Sequence, residues 1–68
     1  MVQVASEAIL QIEYDAAAQI LFVRFTDGDW YGYFDVPPVV HRAFVDAESH
    51  GRFFHERVRD RFSYRKVC

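Results

Sequence analysis

Two apolar and aromatic runs stand on either side of the dipeptide Asp27-Gly28, and this arrangement constrains the fold more than any other feature. The first run, residues 19–26, is rich in Ile, Leu, Phe and Val, which favour β-strands. The second run carries four aromatic residues among positions 30–34 and ends before two prolines at positions 37 and 38. Asp-Gly is a preferred dipeptide of two-residue hairpin loops. The sequence therefore predicts an antiparallel hairpin.

A two-residue loop pairs Thr26 with Asp29 and so fixes which side chains share a face of the sheet. The face expected to form the core carries Leu21, Val23 and Phe25 opposite Phe34, Gly32 and Trp30. The other face carries Phe22 opposite Tyr33 and Arg24 opposite Tyr31. Because a glycine has no side chain, Gly32 is expected to let a helix approach closely on the core side. The hairpin thus predicts a second, aromatic face directed away from the core.

A further strand and a helix are expected on either side of the hairpin. Residues 8–14 alternate well enough for a strand, and residues 15–18 form a short connection to the hairpin. Residues that precede a proline favour extended backbone, whereas proline itself is well suited to the first turn of a helix. A helix is therefore expected to begin at Pro38. Its apolar stripe would be Val40, Phe44 and Ala47.

The last third of the chain predicts a second helix over residues 52–61, with Ser49 as a plausible N-cap. Its buried stripe would be Phe54, Val58 and Phe62. Residues 63–68 are interpreted as a short polar tail. The predicted architecture is an α+β domain, a three-stranded antiparallel β-meander followed by two α-helices packed on one face of the sheet.

Length and composition bound the class of protein. The chain has 68 residues, which is enough for a single domain over residues 1–68. Its only cysteine, Cys68, cannot form an internal disulfide. No apolar run approaches the roughly 20 residues of a membrane span, and the N-terminus lacks the basic and apolar segments of a signal peptide. We therefore expect a cytoplasmic protein with no membrane association.

The charge is distributed unevenly, although the net charge is only −2. Residues 1–49 have two basic residues and eight acidic ones, whereas residues 50–68 have six basic residues and two acidic ones. The basic end could meet an anionic partner, or it could form ion pairs within its own helix. The three histidines do not show the spacing of a metal site, and nothing indicates a catalytic group. The sequence predicts neither a cofactor nor an enzyme.

Several motifs occur in an order that resembles a known family. They are a strand after Ser6, the pair Tyr31-x-Tyr33, Val36-Pro37, Ala47-x-Ser49-x-Gly51, Phe54 and Val58-Arg59. Together, from Ser6 to about Tyr64, they resemble the KTSC domain, which is named after lysyl-tRNA synthetases and also occurs alone as a small bacterial protein. The resemblance implies a small bacterial domain for which RNA binding has been suggested. Two residues depart from the usual pattern: His41 replaces an aromatic residue and His55 replaces an asparagine.

The sequence favours a non-enzymatic domain that binds RNA. Aromatic rings on a sheet can stack nucleic-acid bases for about 1–3 kcal/mol each, and cationic side chains can contact phosphates. The predicted stacking residues are Phe22, Tyr31 and Tyr33. The predicted cationic residues are Arg24, Arg59, Arg65 and Lys66. The net charge of −2 counts against this hypothesis, because nucleic-acid binders are usually basic.

The same aromatic face has a second interpretation. Tyr and Arg are enriched at protein interfaces, so the face could bind a protein partner or form a homodimer. The first strand could also cover these rings within the monomer. Nothing in the residues themselves separates these alternatives, since each requires only that the second face of the hairpin be aromatic.

Overall fold

The computed structural model describes residues 8–67, which form one antiparallel sheet and two helical segments. The strands are β1 (Ile9–Asp15), β2 (Ile20–Phe25), β3 (Trp30–Tyr33) and β4 (Tyr64–Lys66), in the order β1-β2-β3-β4. The helices are α1 (Pro38–Asp46) and α2 (His50–Phe53), which continues as a π-helical turn (Phe54–Val58). The α+β class is confirmed, but the expected number of strands is wrong because the sheet has four strands, not three.

Three residues lie between Phe25 and Asp29, the pair that closes the turn from β2 to β3, so the predicted two-residue loop is wrong. Phe25 N–H donates to the carbonyl of Asp29 at 3.0 Å, and Gly28 N–H donates to the carbonyl of Phe25 at 2.8 Å. A two-residue type I′ turn needs positive φ at both central residues. Here only Gly28 has one, at 96°, while the Asp27 carboxylate accepts from Asp29 N–H at 3.0 Å. This local hydrogen bond favours the longer loop.

The longer loop shifts the register by one residue, which moves every side chain of β3 to the opposite face of the sheet. Leu21 now lies opposite Tyr33, and Phe22 lies opposite Gly32. Tyr33 is consequently buried, with 3% of its surface exposed. The prediction that Phe22, Tyr31 and Tyr33 share one face of the sheet is therefore wrong. Tyr31 and Tyr33 face the helices, whereas Phe22 faces away from them.

The core lies between the sheet and the helices. Its fully buried side chains are Leu21, Val23, Val36, Phe44 and Val58. Helix α1 begins at Pro38 as predicted, and the imidazole of His41 stacks on Tyr14 with ring centroids 4.4 Å apart. The Tyr14 hydroxyl donates to the carbonyl of Val36. These contacts fasten the start of α1 to the outermost strand, β1.

The second helix begins earlier than expected and changes its winding. Ser49 is its N-cap, as predicted, and its hydroxyl accepts from Arg52 N–H at 3.1 Å. From Phe54 the helix widens into the π-helical turn, where Arg59 N–H donates to the Phe54 carbonyl at 2.8 Å. The widened turn places the Phe54 ring edge-to-face against Phe25 and Tyr33. The regular helix expected over residues 52–61 is thus replaced by a shorter and locally wider one.

The segment interpreted as a polar tail contains β4. Its residues pair with β3, and hydrogen bonds from Phe34 N–H to the Ser63 carbonyl and from Val67 N–H to the Trp30 carbonyl extend the ladder at 2.9 and 2.8 Å. Cys68 lies outside the described residues. Within residues 8–67, no helix has the length and apolar character needed to cross a membrane.

Candidate functional site: an outer sheet face and a tyrosine cavity

The structure divides the seven predicted nucleic-acid-binding residues between the two sides of the sheet. The side directed away from the helices carries Phe22, Arg24 and Arg65. The side directed toward the helices carries Tyr31, Tyr33, Arg59 and Lys66. The prediction that all seven residues form a single surface is therefore wrong. The two groups lie on opposite sides of the sheet and have different neighbours.

We call the side away from the helices the outer face, and its central members are Ile20, Phe22, Arg24, Trp30, Gly32, Arg65 and Val67. Gly32 lies at its centre, opposite Phe22 on β2 and Arg65 on β4. A Cβ atom on Gly32 would lie 3.4 Å from Phe22 and from Val67. The prediction that Gly32 lies beneath a helix is wrong, because the glycine leaves room for side chains of the outer face instead.

Trp30 is the residue of the outer face that the sequence prediction missed. It lies opposite Arg24, whose guanidinium carbon is 5.9 Å from the centre of the indole ring. The Arg24 Nε also donates to the Gly28 carbonyl at 3.4 Å, which holds the guanidinium near the turn. A three-residue loop predicts Trp30 on the outer face, because the length of the loop determines the face on which each side chain of β3 lies.

Aromatic and aliphatic side chains surround a shallow cavity on this face. It has a volume of about 250 Å³ and is lined by Glu13, Phe22, Trp30 and Val67. Both aromatic rings are partly exposed. The outer face therefore offers two ring surfaces on neighbouring strands, with Arg24 and Arg65 beside them and Glu13 at one edge. This arrangement suits a flat, apolar ligand group that carries negative charge at its periphery.

The helix side of the sheet contains a larger cavity of about 450 Å³, which we call the tyrosine cavity. Its aromatic lining consists of Phe25, Tyr31, Tyr33, Phe54 and Tyr64, and its charged lining consists of Asp27, Arg59 and Asp60. Tyr64, which was assigned to the polar tail, was not predicted as a site residue. Its ring lies 5.3 Å from that of Tyr33 and 5.9 Å from that of Tyr31, centre to centre.

Tyr33 has an unusual hydroxyl environment. The residue is almost completely buried, and among residues 8–67 its hydroxyl has no hydrogen-bond partner. Burial, followed by the neighbouring hydroxyls of Tyr64 and Tyr31, raises the pKa of Tyr33 to about 12, although Arg59 acts in the opposite direction. The phenol is therefore neutral at physiological pH and can both donate and accept a hydrogen bond.

The cationic residues of the helix side are already engaged to different degrees. The Nη1 of Arg59 donates to His55 Nδ1 at 3.1 Å, so His55 orients this guanidinium. Lys66 pairs with Asp29 at 3.3 Å, and the hydrogen bond that it donates to the Asp29 carboxylate raises the pKa of Lys66. Among residues 8–67, no three His, Cys, Asp or Glu side chains converge as metal ligands.

The sequence of this chain is similar to those of bacterial proteins. The chain is 48% identical over 62 residues to a protein of Tsukamurella paurometabola, covering 91% of this chain and 92% of that protein. It is also 32% identical over 59 residues to a lysine–tRNA ligase of Trichormus variabilis, covering 87% of this chain but only 10% of the ligase. The activity of that ligase as a whole therefore does not transfer to this chain.

A solved structure supports the same assignment. The crystal structure of a KTSC domain protein from Yersinia pestis matches with a TM-score of 0.83 and 38% sequence identity, covering 88% of this chain and 84% of that one. The family model of the KTSC domain matches residues 5–62. With fold, sequence and motif order in agreement over most of its length, the chain belongs to the KTSC domain family.

Proposed function

We propose that this domain binds single-stranded nucleic acid, RNA in particular, through its outer face, and that it does so without catalysing a reaction. The observation that carries the proposal is the pair of partly exposed rings, Phe22 and Trp30, on neighbouring strands with Arg24 beside the indole. Bases stack on such rings regardless of their identity, and a nearby guanidinium adds charge and cation–π attraction. Tyr31 and Tyr33, which face the helices, have no stacking role in this proposal.

Charge determines how strong the binding can be. The chain has a net charge of −2, and Glu13 borders the outer face. Among the described residues 8–67, the central outer face has two cations, Arg24 and Arg65, so a bound strand makes about two phosphate contacts there. Each contact to single-stranded nucleic acid contributes a slope of about −0.7 to the dependence of log K on log salt. Affinity should therefore fall only about sevenfold between 50 and 200 mM salt.

Similarity to a segment of the lysine–tRNA ligases supports RNA as the partner, since those relatives are named for an RNA substrate. Within this proposal the domain acts as a binding module in the bacterial cytoplasm. The contacts on the outer face are stacking and phosphate contacts, which carry little base specificity. We therefore expect binding to short RNAs of different sequence with similar affinity.

The test is fluorescence anisotropy with a labelled eight-nucleotide RNA of mixed sequence, at 50 and 200 mM salt. Trp30→Leu keeps an apolar side chain but removes the ring, so loss of one stacked base at about 1–3 kcal/mol should weaken binding at least fivefold. Arg24→Gln should also reduce the salt dependence by about half, since it removes one of two phosphate contacts. A Trp30→Leu protein that folds and binds RNA as tightly as the original would contradict the proposal.

Arg57→Gln is a matched control for Arg24→Gln. The guanidinium carbon of Arg57 lies 5.8 Å from the centre of the Phe53 ring, which reproduces the Arg24–Trp30 contact on a helix instead of on the outer face. Its substitution removes the same charge from the protein but should leave the affinity nearly unchanged. Equal losses for the two variants would show that RNA responds to net charge alone, and the outer face would then not be the binding surface.

Self-association through the same face is the second candidate function. It is favoured by the apolar nature of Phe22, Trp30 and Val67, three of the four residues that line the outer cavity. A two-fold interface brings the same residues of two copies together, which would bury this patch. Sedimentation over a range of protein concentrations distinguishes the two functions. A dimer that Trp30→Leu dissociates would support self-association, whereas a monomer that binds RNA would exclude it.

A further inference from the structure

The tyrosine cavity is independent of the outer face, and its own lining indicates a different ligand. Tyr33 has only 3% of its residue surface exposed, and its hydroxyl has no hydrogen-bond partner among residues 8–67. Tyr14 shows what the fold does elsewhere, since its hydroxyl donates to the Val36 carbonyl. Buried polar groups in folded proteins are nearly always paired. The unpaired hydroxyl therefore indicates a polar group that enters the cavity from outside the domain.

The charges of the cavity favour a cation. Asp27 and Asp60 are exposed members of the lining, and neither forms an ion pair within residues 8–67. The only cation of the lining is Arg59, and His55 accepts a hydrogen bond from one of its nitrogens. Two carboxylates that form no ion pair within residues 8–67, against one cation, make the lining of the cavity acidic. An anionic ligand such as a phosphate would have to approach both carboxylates, which disfavours it.

The aromatic lining specifies the shape of that cation. Five rings line the cavity, and they pack against one another with centres 5.3 to 5.9 Å apart. Aromatic rings attract cations, and a planar guanidinium can stack on a ring while it donates two parallel hydrogen bonds to a carboxylate. A volume of about 450 Å³ accommodates one such side chain with its apolar stem.

We propose that the tyrosine cavity binds the guanidinium of an arginine side chain presented by a peptide or protein partner. The rings of Tyr31 and Tyr64 contact the flat cation, Asp60 and Asp27 pair with it, and the Tyr33 hydroxyl takes part in its hydrogen bonding. Arg59 opposes binding and sets the affinity low. This site requires neither RNA nor the outer face, so it stands or falls separately from the function proposed above.

The experiment is an amide NMR titration of the whole protein with N-acetyl-arginine methylamide. The neutral isostere N-acetyl-citrulline methylamide, which has the same shape without the charge, is the ligand control. We expect saturable shifts at Tyr31, Tyr33 and Tyr64 with the arginine compound and at least threefold weaker binding of the citrulline compound. Free arginine and a five-residue peptide with a central arginine distinguish a small-molecule ligand from a peptide ligand, and the proposal requires the peptide to bind at least as tightly.

Two substitutions with opposite expected signs make the test specific. Asp60→Asn removes an attractive charge and should weaken binding of the arginine compound about threefold, the usual size for an exposed ion pair. Arg59→Gln removes a repulsive charge and should tighten binding by a similar factor. Asp46→Asn, at the exposed end of α1, changes the net charge equally and should have no effect. Asp27→Asn serves as a second variant, because asparagine can keep the turn hydrogen bond.

Several results would overturn the proposal. If Arg59→Gln weakens binding and Asp60→Asn strengthens it, the cavity prefers anions. If arginine and citrulline compounds bind equally, the positive charge has no role. If no shifts occur at Tyr31, Tyr33 and Tyr64 at 20 mM ligand, the cavity is not an arginine site, whatever the RNA titration shows.

Discussion

The substitutions Tyr33→Phe and Tyr14→Phe each remove one hydroxyl oxygen, and we expect them to change the stability of the domain in opposite directions. Tyr33 is a buried residue whose hydroxyl has no partner among residues 8–67, whereas the Tyr14 hydroxyl donates to the carbonyl of Val36, a residue with no exposed surface. A buried polar group that lacks a partner costs about 1–3 kcal/mol, while a typical intramolecular hydrogen bond contributes about 1 kcal/mol. The chemical change Tyr→Phe is identical at both positions, so the environment alone decides its sign.

For Tyr33→Phe we expect the free energy of unfolding to increase by about 1 kcal/mol. The ring itself is retained, and with it the edge-to-face contact with Phe54 at 5.5 Å between centres. For Tyr14→Phe we expect a decrease of about 2 kcal/mol, since the substitution also leaves the Val36 carbonyl unpaired. In a domain of this size a change of 1 kcal/mol corresponds to a shift in melting temperature of about 4–8 °C.

The assay is urea unfolding at pH 7, followed by circular dichroism, with the slope m compared between variants. An unchanged slope shows that the substitutions change the free energy of unfolding without changing the surface area exposed on unfolding. If Tyr33→Phe destabilises the domain as much as Tyr14→Phe does, the Tyr33 hydroxyl is hydrogen-bonded in the folded protein. The argument for a ligand in the tyrosine cavity would then lose its main support.

Three further predictions concern single groups. Burial raises the pKa of Tyr33 from 10.0 to about 12, so the unfolded chain loses this proton first. Stability that is present below pH 10 should therefore fall as the pH rises from 10 to 12. Alkaline urea titrations that show no such fall, or the same fall in Tyr33→Phe, would contradict this. Gly32→Ala should stabilise the domain by about 0.5 kcal/mol, because alanine loses less backbone entropy on folding and its Cβ would meet only side-chain atoms, at 3.4 Å or more. Thermal unfolding measures the sign of the change. A clear loss of stability would show that the side chains of the outer face cannot adjust to the added methyl group. Ser49→Ala should cost about 1 kcal/mol, since it removes the hydroxyl that accepts from Arg52 N–H; Ser49→Asp, which keeps an acceptor, should restore most of the loss.

The two sides of the sheet divide the chemistry of this domain. The outer face has arginines beside partly exposed rings, while the tyrosine cavity has two carboxylates beside a buried Tyr33 and an exposed Tyr64. One side therefore suits an anionic, stackable partner and the other suits a cationic one. Trp30→Leu and Asp60→Asn affect one side each, so measuring both ligands on both variants separates the two proposed activities.

The sequence by itself determined the local features of this protein. Two prolines and the stripe around Phe44 were enough to locate the start of α1, because proline restricts its own backbone wherever it occurs. The N-cap at Ser49 followed from a side chain that bonds to its own neighbouring backbone. The first strand followed from alternation of apolar and polar residues, and the second from its content of Ile, Leu, Phe and Val. These features depend on residues close together in sequence, which is why the sequence was sufficient.

Tertiary structure decided the register, the fourth strand and hence both candidate surfaces. Asp27-Gly28 is compatible with loops of two or three residues, and the choice depended on the Asp27 hydrogen bond and on burial of Tyr33. All three residues of β4 are exposed, so no pattern of buried apolar residues predicts this strand. It forms because the backbone groups of β3 need hydrogen-bond partners. A one-residue shift exchanges the faces of a whole strand. For this reason the sequence predicted Phe22, Tyr31 and Tyr33 as site residues, whereas only the packed domain added Trp30 and Tyr64 and determined which of these rings meet.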